Sequence, residues 1–204
     1  MTKKKNIAVL ASGNGTNFQA LVKAISKQKI KAKIKVLITD KKNSFVRKRA
    51  KALAIEDIFI DPSKFKSDLA FDKKIIEILK KEKIDLIILA GYMKLITPFF
   101  IKIFNNKIVN IHPSLLPAFK GTNSIKRAYK YGCKVTGVTI HFIDEEIDHG
   151  PIILQKTIKI EKGMSEETLK RQVHNLEHKL YPQALKLILD KKVKVKGRQV
   201  EITS

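Results

Sequence analysis

Short apolar, β-branched runs alternate with amphipathic segments of helical period through the first half of the chain, and this alternation narrows the possible folds more than any other feature. The runs fall at residues 7–11, 34–39, 57–60, 86–90 and 108–111. Between the first two, residues 17–28 place Phe18, Leu21, Val22 and Ile25 on one helical face, and residues 69–79 do the same with Phe71, Ile75, Ile76 and Leu79. Strands separated by helices run parallel and are covered by those helices. We therefore expect an α/β fold with an open, mostly parallel twisted sheet and helices on both faces. The later part differs: residues 135–143 and 152–160 read as longer strands joined by an acidic, glycine-closed loop, which predicts antiparallel strands toward the carboxyl end. Residues 165–189 read as one long helix, started by Ser165 and Glu166-Glu167, with a kink or break at Pro182. With no repeat, linker or low-complexity stretch, a single domain over residues 1–204 is expected.

Composition then sets outer limits. A chain of 204 residues with 44% hydrophobic content folds as a globular protein rather than remaining disordered. Cys133 is the only cysteine, which excludes an internal disulfide and a multi-cysteine zinc site and fits a reducing compartment. No apolar run approaches the roughly 20 residues of a membrane span. The basic start at residues 1–5 leads into an apolar run too short for a secretory signal, so a cytoplasmic protein is expected. The 42 basic against 19 acidic residues give a net charge of +23. Nucleic-acid binding requires such charge to be clustered, whereas here only five of the basic residues are Arg and the lysines spread over every segment. We expect no nucleic-acid partner; the field draws small anionic substrates instead. Nothing in the sequence separates a monomer from a homodimer.

Three segments carry candidate chemistry. The first is Ser12-Gly13-Asn14-Gly15-Thr16-Asn17, between the first strand and the first helix. Its glycines allow close backbone approach, and free amides at a helix start favour a phosphate. It lacks the lysine of a nucleotide P-loop, and Phe18 stands where a dinucleotide fingerprint has its third glycine. Asp40, closing the second strand, keeps a nicotinamide-binding alternative open. The plainer alternative is a tight turn with Thr16 or Asn17 as helix cap. The second segment is Asn110-Ile111-His112-Pro113-Ser114-Leu115-Leu116-Pro117, at the expected carboxyl end of a central strand. Residues two apart on a strand share a face, so Asn110 and His112 point into one pocket, and Pro113 restricts the His112 backbone. The third segment, Asp144-Glu145-Glu146-Ile147-Asp148-His149-Gly150-Pro151, gathers four acids within five positions. A carboxylate beside a histidine stabilises its charged form, and Asp148, pinned by Gly150-Pro151, is our candidate for that role. A solvated turn is the plainer reading of this loop. His174-Asn175-Leu176-Glu177-His178 matches an inverted zinc-protease pattern, but no suitable downstream ligand follows, so no metal is expected. His141 alternates within a strand and reads as structural.

Taken in order, these segments resemble the phosphoribosylglycinamide formyltransferase family, folate-dependent enzymes of purine biosynthesis, over residues 6–189. The resemblance implies 10-formyltetrahydrofolate as co-substrate, glycinamide ribonucleotide as acceptor, and neither metal nor covalent intermediate. By resemblance, Asn110 and protonated His112 stabilise the oxyanion of a tetrahedral intermediate, while Asp148 holds His112 charged and assists proton movement through water. Gly15, Thr16, Asn17 and Glu177 match the ribonucleotide-binding positions. Met93, Lys94, Leu95 and Ile96 match the folate pocket together with Asn110, and Asp144, Glu145, Glu146 and Ile147 match the loop that reads the pteridine edge. Two positions depart from the family: a folate-tail arginine falls on Asp68, beside Lys64 and Lys66, and a common histidine falls on Asn123. The alternative within the same chemistry is formyltetrahydrofolate hydrolase, with water as acceptor. That family carries an additional domain ahead of the catalytic one, and methionyl-tRNA formyltransferases carry one after it.

Overall fold

The computed structural model describes residues 4–27 and 30–203. Residues 1–3 of the basic start and Gln28, the expected last residue of the first helix, lie outside them. The chain divides into two compact units, the first ending at Val109 and the second starting at Asn110.

The first unit alternates β1 (Lys5–Leu10), α1 (Thr16–Ser26), β2 (Ala32–Thr39), α2 (Phe45–Ala52), β3 (Glu56–Phe59), α3 (Asp68–Lys81), β4 (Leu86–Leu89) and α4 (Pro98–Ile103). Its strands lie in the order β3-β2-β1-β4, all parallel. Ile7, Val9, Ile38, Ile87 and Ile88 are buried, as strands covered by helices require. Against them pack Phe18 and Leu21 of α1 and Phe71, Ile75 and Leu79 of α3, the faces that the 3.6-residue period marks. Ser67 starts α3 by accepting from the Ala70 amide at 3.2 Å.

The strand β5 (Ile108–His112) carries the chain into the second unit, where α5 (Ser124–Tyr131), β6 (Val135–Phe142), β7 (Ile152–Lys159) and α6 (Glu166–Leu189) follow. Strands β6 and β7 are antiparallel, as the acidic, glycine-closed loop between them predicts. Helix α6 begins at the expected place, with the Ser165 hydroxyl accepting from the Thr168 amide at 3.1 Å. At Pro182 the helix continues without a break. Leu180, Tyr181, Ala184 and Leu185 are buried on both sides of the proline, and their packing offsets the missing hydrogen bond. A hairpin of β8 (Val193–Lys196) and β9 (Gln199–Ile202) follows. Among the described residues no helix is long and apolar enough to cross a membrane.

Candidate active site

In the second unit, Asn110 and His112 leave β5 on the same side and meet Asp148 from the loop after β6. The His112 Nδ1 lies 3.1 Å from Asp148 Oδ2, and the Asn110 Nδ2 donates to Asp148 Oδ1 at 3.3 Å. The Gly121 amide donates to Asp148 Oδ2 at 2.8 Å, so one carboxylate gathers three donors. The His112 Nε2 faces the Phe119 carbonyl at 2.9 Å. Both ring nitrogens of His112 thus face acceptors, and a ring carrying both protons satisfies both. Asp148 holds a left-handed backbone, φ +48°, which aims its side chain back at β5. Two residues on, a Cβ at Gly150 would lie 2.1 Å from the Phe142 carbonyl, so only glycine lets the loop turn there.

His141 belongs to this cluster, which sequence reasoning missed. Its Nδ1 donates to the Phe142 carbonyl at 2.7 Å, leaving Nε2 to accept from Asn110 Nδ2 at 3.2 Å; Nε2 also lies 3.8 Å from Asp148 Oδ1. Burial drives its pKa below 6.5, against the raising effects of the Phe142 carbonyl and Asp148. The signal was available: Thr139 and His141 alternate along β6 onto one face. Because the unfolded chain binds this proton more readily, its contribution to stability is fully present above about pH 6.5 and is lost as pH falls from there toward the folded pKa. Thermal unfolding against pH is expected to show this acid loss in the parent and a smaller one in His141→Gln; identical profiles would contradict the assignment.

The loop between β5 and α5 is tied down by side chains that the sequence did not single out. Thr139 Oγ1 donates to the Ser114 carbonyl at 2.7 Å and accepts from the Leu116 amide at 3.1 Å. Gln155 donates to the Leu116 carbonyl at 2.8 Å. Asn123, the position that departs from the family's histidine, has φ +56° just before α5, a conformation asparagine tolerates well. In the acidic loop, Asp144 Oδ2 accepts from His149 Nδ1 at 2.7 Å and its Oδ1 from the Glu146 amide at 3.2 Å, while Glu145 and Ile147 are exposed.

On α6, Glu177 is buried and accepts from His174 Nδ1 at 2.9 Å. That bond, opposed by burial, lifts the His174 pKa. The carboxylate of the zinc-like pattern is therefore engaged by its own histidine. Among the described residues no group of three or more His, Cys, Asp or Glu could hold a metal ion.

The first unit holds the glycine-rich loop and the segment after β4. Gly15 has φ +78° and precedes α1, whose first residues are Thr16 and the buried Asn17. Neither Thr16 nor Asn17 acts as the cap, because Gly15 occupies that position without a side chain. Helix α2 shapes the loop: the Val46 amide donates to the Gly13 carbonyl at 3.1 Å, and Arg49 donates to the Asn14 carbonyl at 2.8 Å and its Oδ1 at 2.9 Å. A Cβ at Gly15 would lie 2.3 Å from Val46 Cγ2. Gly15→Ala is expected to cost about 3 kcal/mol through left-handed strain and overpacking, measured by denaturant unfolding. An unchanged midpoint would contradict this close approach.

Asp40 does not stand free for a ribose. It is buried and accepts the Ser12 hydroxyl at 2.6 Å, and that hydroxyl in turn accepts the Met93 amide at 2.9 Å. This engagement of Oδ1 counts against the nicotinamide alternative. The Met93 to Ile96 segment is anchored at its far end by Asp72 Oδ2, which accepts the Thr97 amide at 2.8 Å and hydroxyl at 2.7 Å. Between these anchors Met93 and Leu95 are 68% and 65% exposed, and Lys94 pairs with Asp68 over the Phe71 ring. The residue that departs from the family arginine therefore holds the lysine of the same segment.

Comparison with known proteins identifies the family. Residues 5–185 match the family model described as formyl transferase. The chain is 43% identical to the phosphoribosylglycinamide formyltransferase of Bacillus subtilis, covering 91% of this chain and 95% of that protein. It is 34% identical to the enzyme of that name from Escherichia coli, over 93% and 90% of the two chains. The crystal structure of glycinamide ribonucleotide transformylase 1 from Symbiobacterium toebii superposes with a TM-score of 0.97 at 37% identity, covering all of this chain and 96% of that one. A match of this extent, on a chain whose strand-borne asparagine and histidine meet a loop aspartate, places the protein in the formyl transferase family.

Proposed function

We propose that the protein transfers the formyl group of 10-formyltetrahydrofolate to the amine of glycinamide ribonucleotide, giving formylglycinamide ribonucleotide and tetrahydrofolate. The observation that carries this reading is the convergence of Asn110, His112 and Asp148 within hydrogen-bond reach of one another. The amine nitrogen attacks the formyl carbon, and the carbonyl oxygen gains negative charge. The Asn110 amide and the His112 ring supply its hydrogen bonds. Each is held by protein acceptors before substrate arrives, and the 3.3 Å bond from Asn110 to Asp148 is the longest of them and the least costly to give up. As the adduct collapses, the bond to the folate nitrogen breaks, and Asp148 helps carry the amine proton to that nitrogen.

In this reading the amides of Gly15, Thr16 and Asn17 bind the substrate phosphate, and Glu177 binds the same substrate. Met93, Lys94, Leu95 and Ile96 supply apolar walls for the folate, and the backbone of Asp144, Glu145, Glu146 and Ile147 reads its pteridine edge. Residues 1–204 act as a single catalytic domain in the cytoplasm, as a monomer or homodimer, without a metal. The test follows tetrahydrofolate release by absorbance with and without the ribonucleotide. Release only in its presence supports the transferase; equal release without it supports the hydrolase and overturns the proposal.

A further inference from the structure

The hairpin that closes the chain lies beyond the segment matched by the family model, yet it reaches the loop next to Asp148. Its strands pair from Val193 with Ile202 to Lys196 with Gln199, and Gly197, at φ +58°, turns the chain so that Arg198 leads out of the bend. Arg198 Nη2 donates to the His149 carbonyl at 2.6 Å, and Nη1 lies over the His149 ring, 2.8 Å from Nε2 and 3.0 Å from Nδ1. The ring edge is left to Asp144, whose Oδ2 lies 2.7 Å from His149 Nδ1. Asp144 in turn receives the Glu146 amide. A chain of side-chain contacts thus runs from the hairpin turn through His149 into the backbone of the acidic loop. The loop holds four carboxylates within five residues, whose mutual repulsion favours an open loop, and Arg198 supplies a positive charge against it.

We infer that Arg198 is a positioning residue that holds the loop of residues 144–149 in the shape that accepts the folate donor. This rests on the reading of that loop as the one facing the pteridine. Bonding the backbone carbonyl while covering the imidazole requires a planar group with several donors, which an ammonium group does not provide. The ribonucleotide-binding positions named above are not among the residues Arg198 contacts, so its influence falls on one substrate.

The test compares Arg198→Met, Arg198→Lys, His149→Ala and the double variant Arg198→Met/His149→Ala with the parent. Steady-state kinetics are run with each substrate varied, alongside calorimetric binding of tetrahydrofolate and thermal unfolding. Arg198→Met is expected to raise the KM for 10-formyltetrahydrofolate and the tetrahydrofolate Kd about tenfold, the size of one hydrogen bond to a charged group, with the ribonucleotide KM unchanged. His149→Ala produces the same shift, the double variant adds nothing further, and Arg198→Lys recovers only part of the loss. A merely structural role would lower the melting temperature and leave the ratio of the two KM values alone. An unchanged folate KM in either single variant, or effects that multiply in the double variant, overturns the inference while the functional reading stands. If the parent binds no tetrahydrofolate and turns over no donor, the functional reading fails and the inference with it. Should Arg198→Met not fold, Arg198→Lys and His149→Ala carry the same comparison.

Discussion

Replacing His112 with alanine is expected to reduce turnover about a thousandfold while the protein still folds. In the proposed mechanism the His112 ring donates to the developing oxyanion, and His141 does not replace it, being pushed toward its neutral form by burial with its Nδ1 engaged by the Phe142 carbonyl. The substitution also leaves the Phe119 carbonyl and one contact of Asp148 without the imidazole, at a cost of about 1–3 kcal/mol. The buried strands β1, β2 and β4 and the packed face of α6 are untouched, so circular dichroism should match the parent. Near-parental kcat in a folded His112→Ala protein would remove His112 from the mechanism.

The second large effect is expected at Asp148. Asp148→Asn keeps the shape but exchanges a carboxylate that accepts from Asn110, His112 and the Gly121 amide for a group with one acceptor oxygen. Whichever way the new amide turns, its NH2 faces a donor, and the charge opposite His112 is gone. We expect kcat to fall about a hundredfold or more, with a smaller loss of stability, measured by turnover and denaturant unfolding on the same sample. The side chain is only 10% exposed, so solvent does not readily restore the missing acceptor. Retention of a tenth or more of the parental rate would show that Asp148 neither orients His112 nor takes part in proton movement.

How far the sequence foretells this arrangement depends on how long each signal runs. The strands of the first unit and helices α1, α3 and α6 are legible because each presents an apolar stripe or run long enough to establish its period. Helices α2, α4 and α5 span six to eight residues, too few turns to repeat a face, and of the three only α4 has a side-chain cap, Thr97 before Pro98. The closing hairpin does carry alternation around Lys196-Gly197-Arg198, but its strands are four residues each, half polar or charged, and resemble the solvated segments found along the whole chain. Asn110 and His112 are legible as a pair because a strand period of two puts them together. Their meeting with Asp148 follows from tertiary contact, as do the roles of His141, Thr139 and Gln155 from the neighbouring strands. The latch from Asp40 through Ser12 to the Met93 amide joins residues up to 81 positions apart, which no local pattern encodes.

The most direct test of the central claim is to follow a carbon-13 label placed in the formyl group of 10-formyltetrahydrofolate through the reaction with glycinamide ribonucleotide, by NMR. The account predicts that the label appears in the formamide of the ribonucleotide, in equal amount to the tetrahydrofolate formed, and that Asn110→Ala and His112→Ala both suppress its appearance. Label collecting instead in free formate at the same rate, with or without the ribonucleotide, would contradict it.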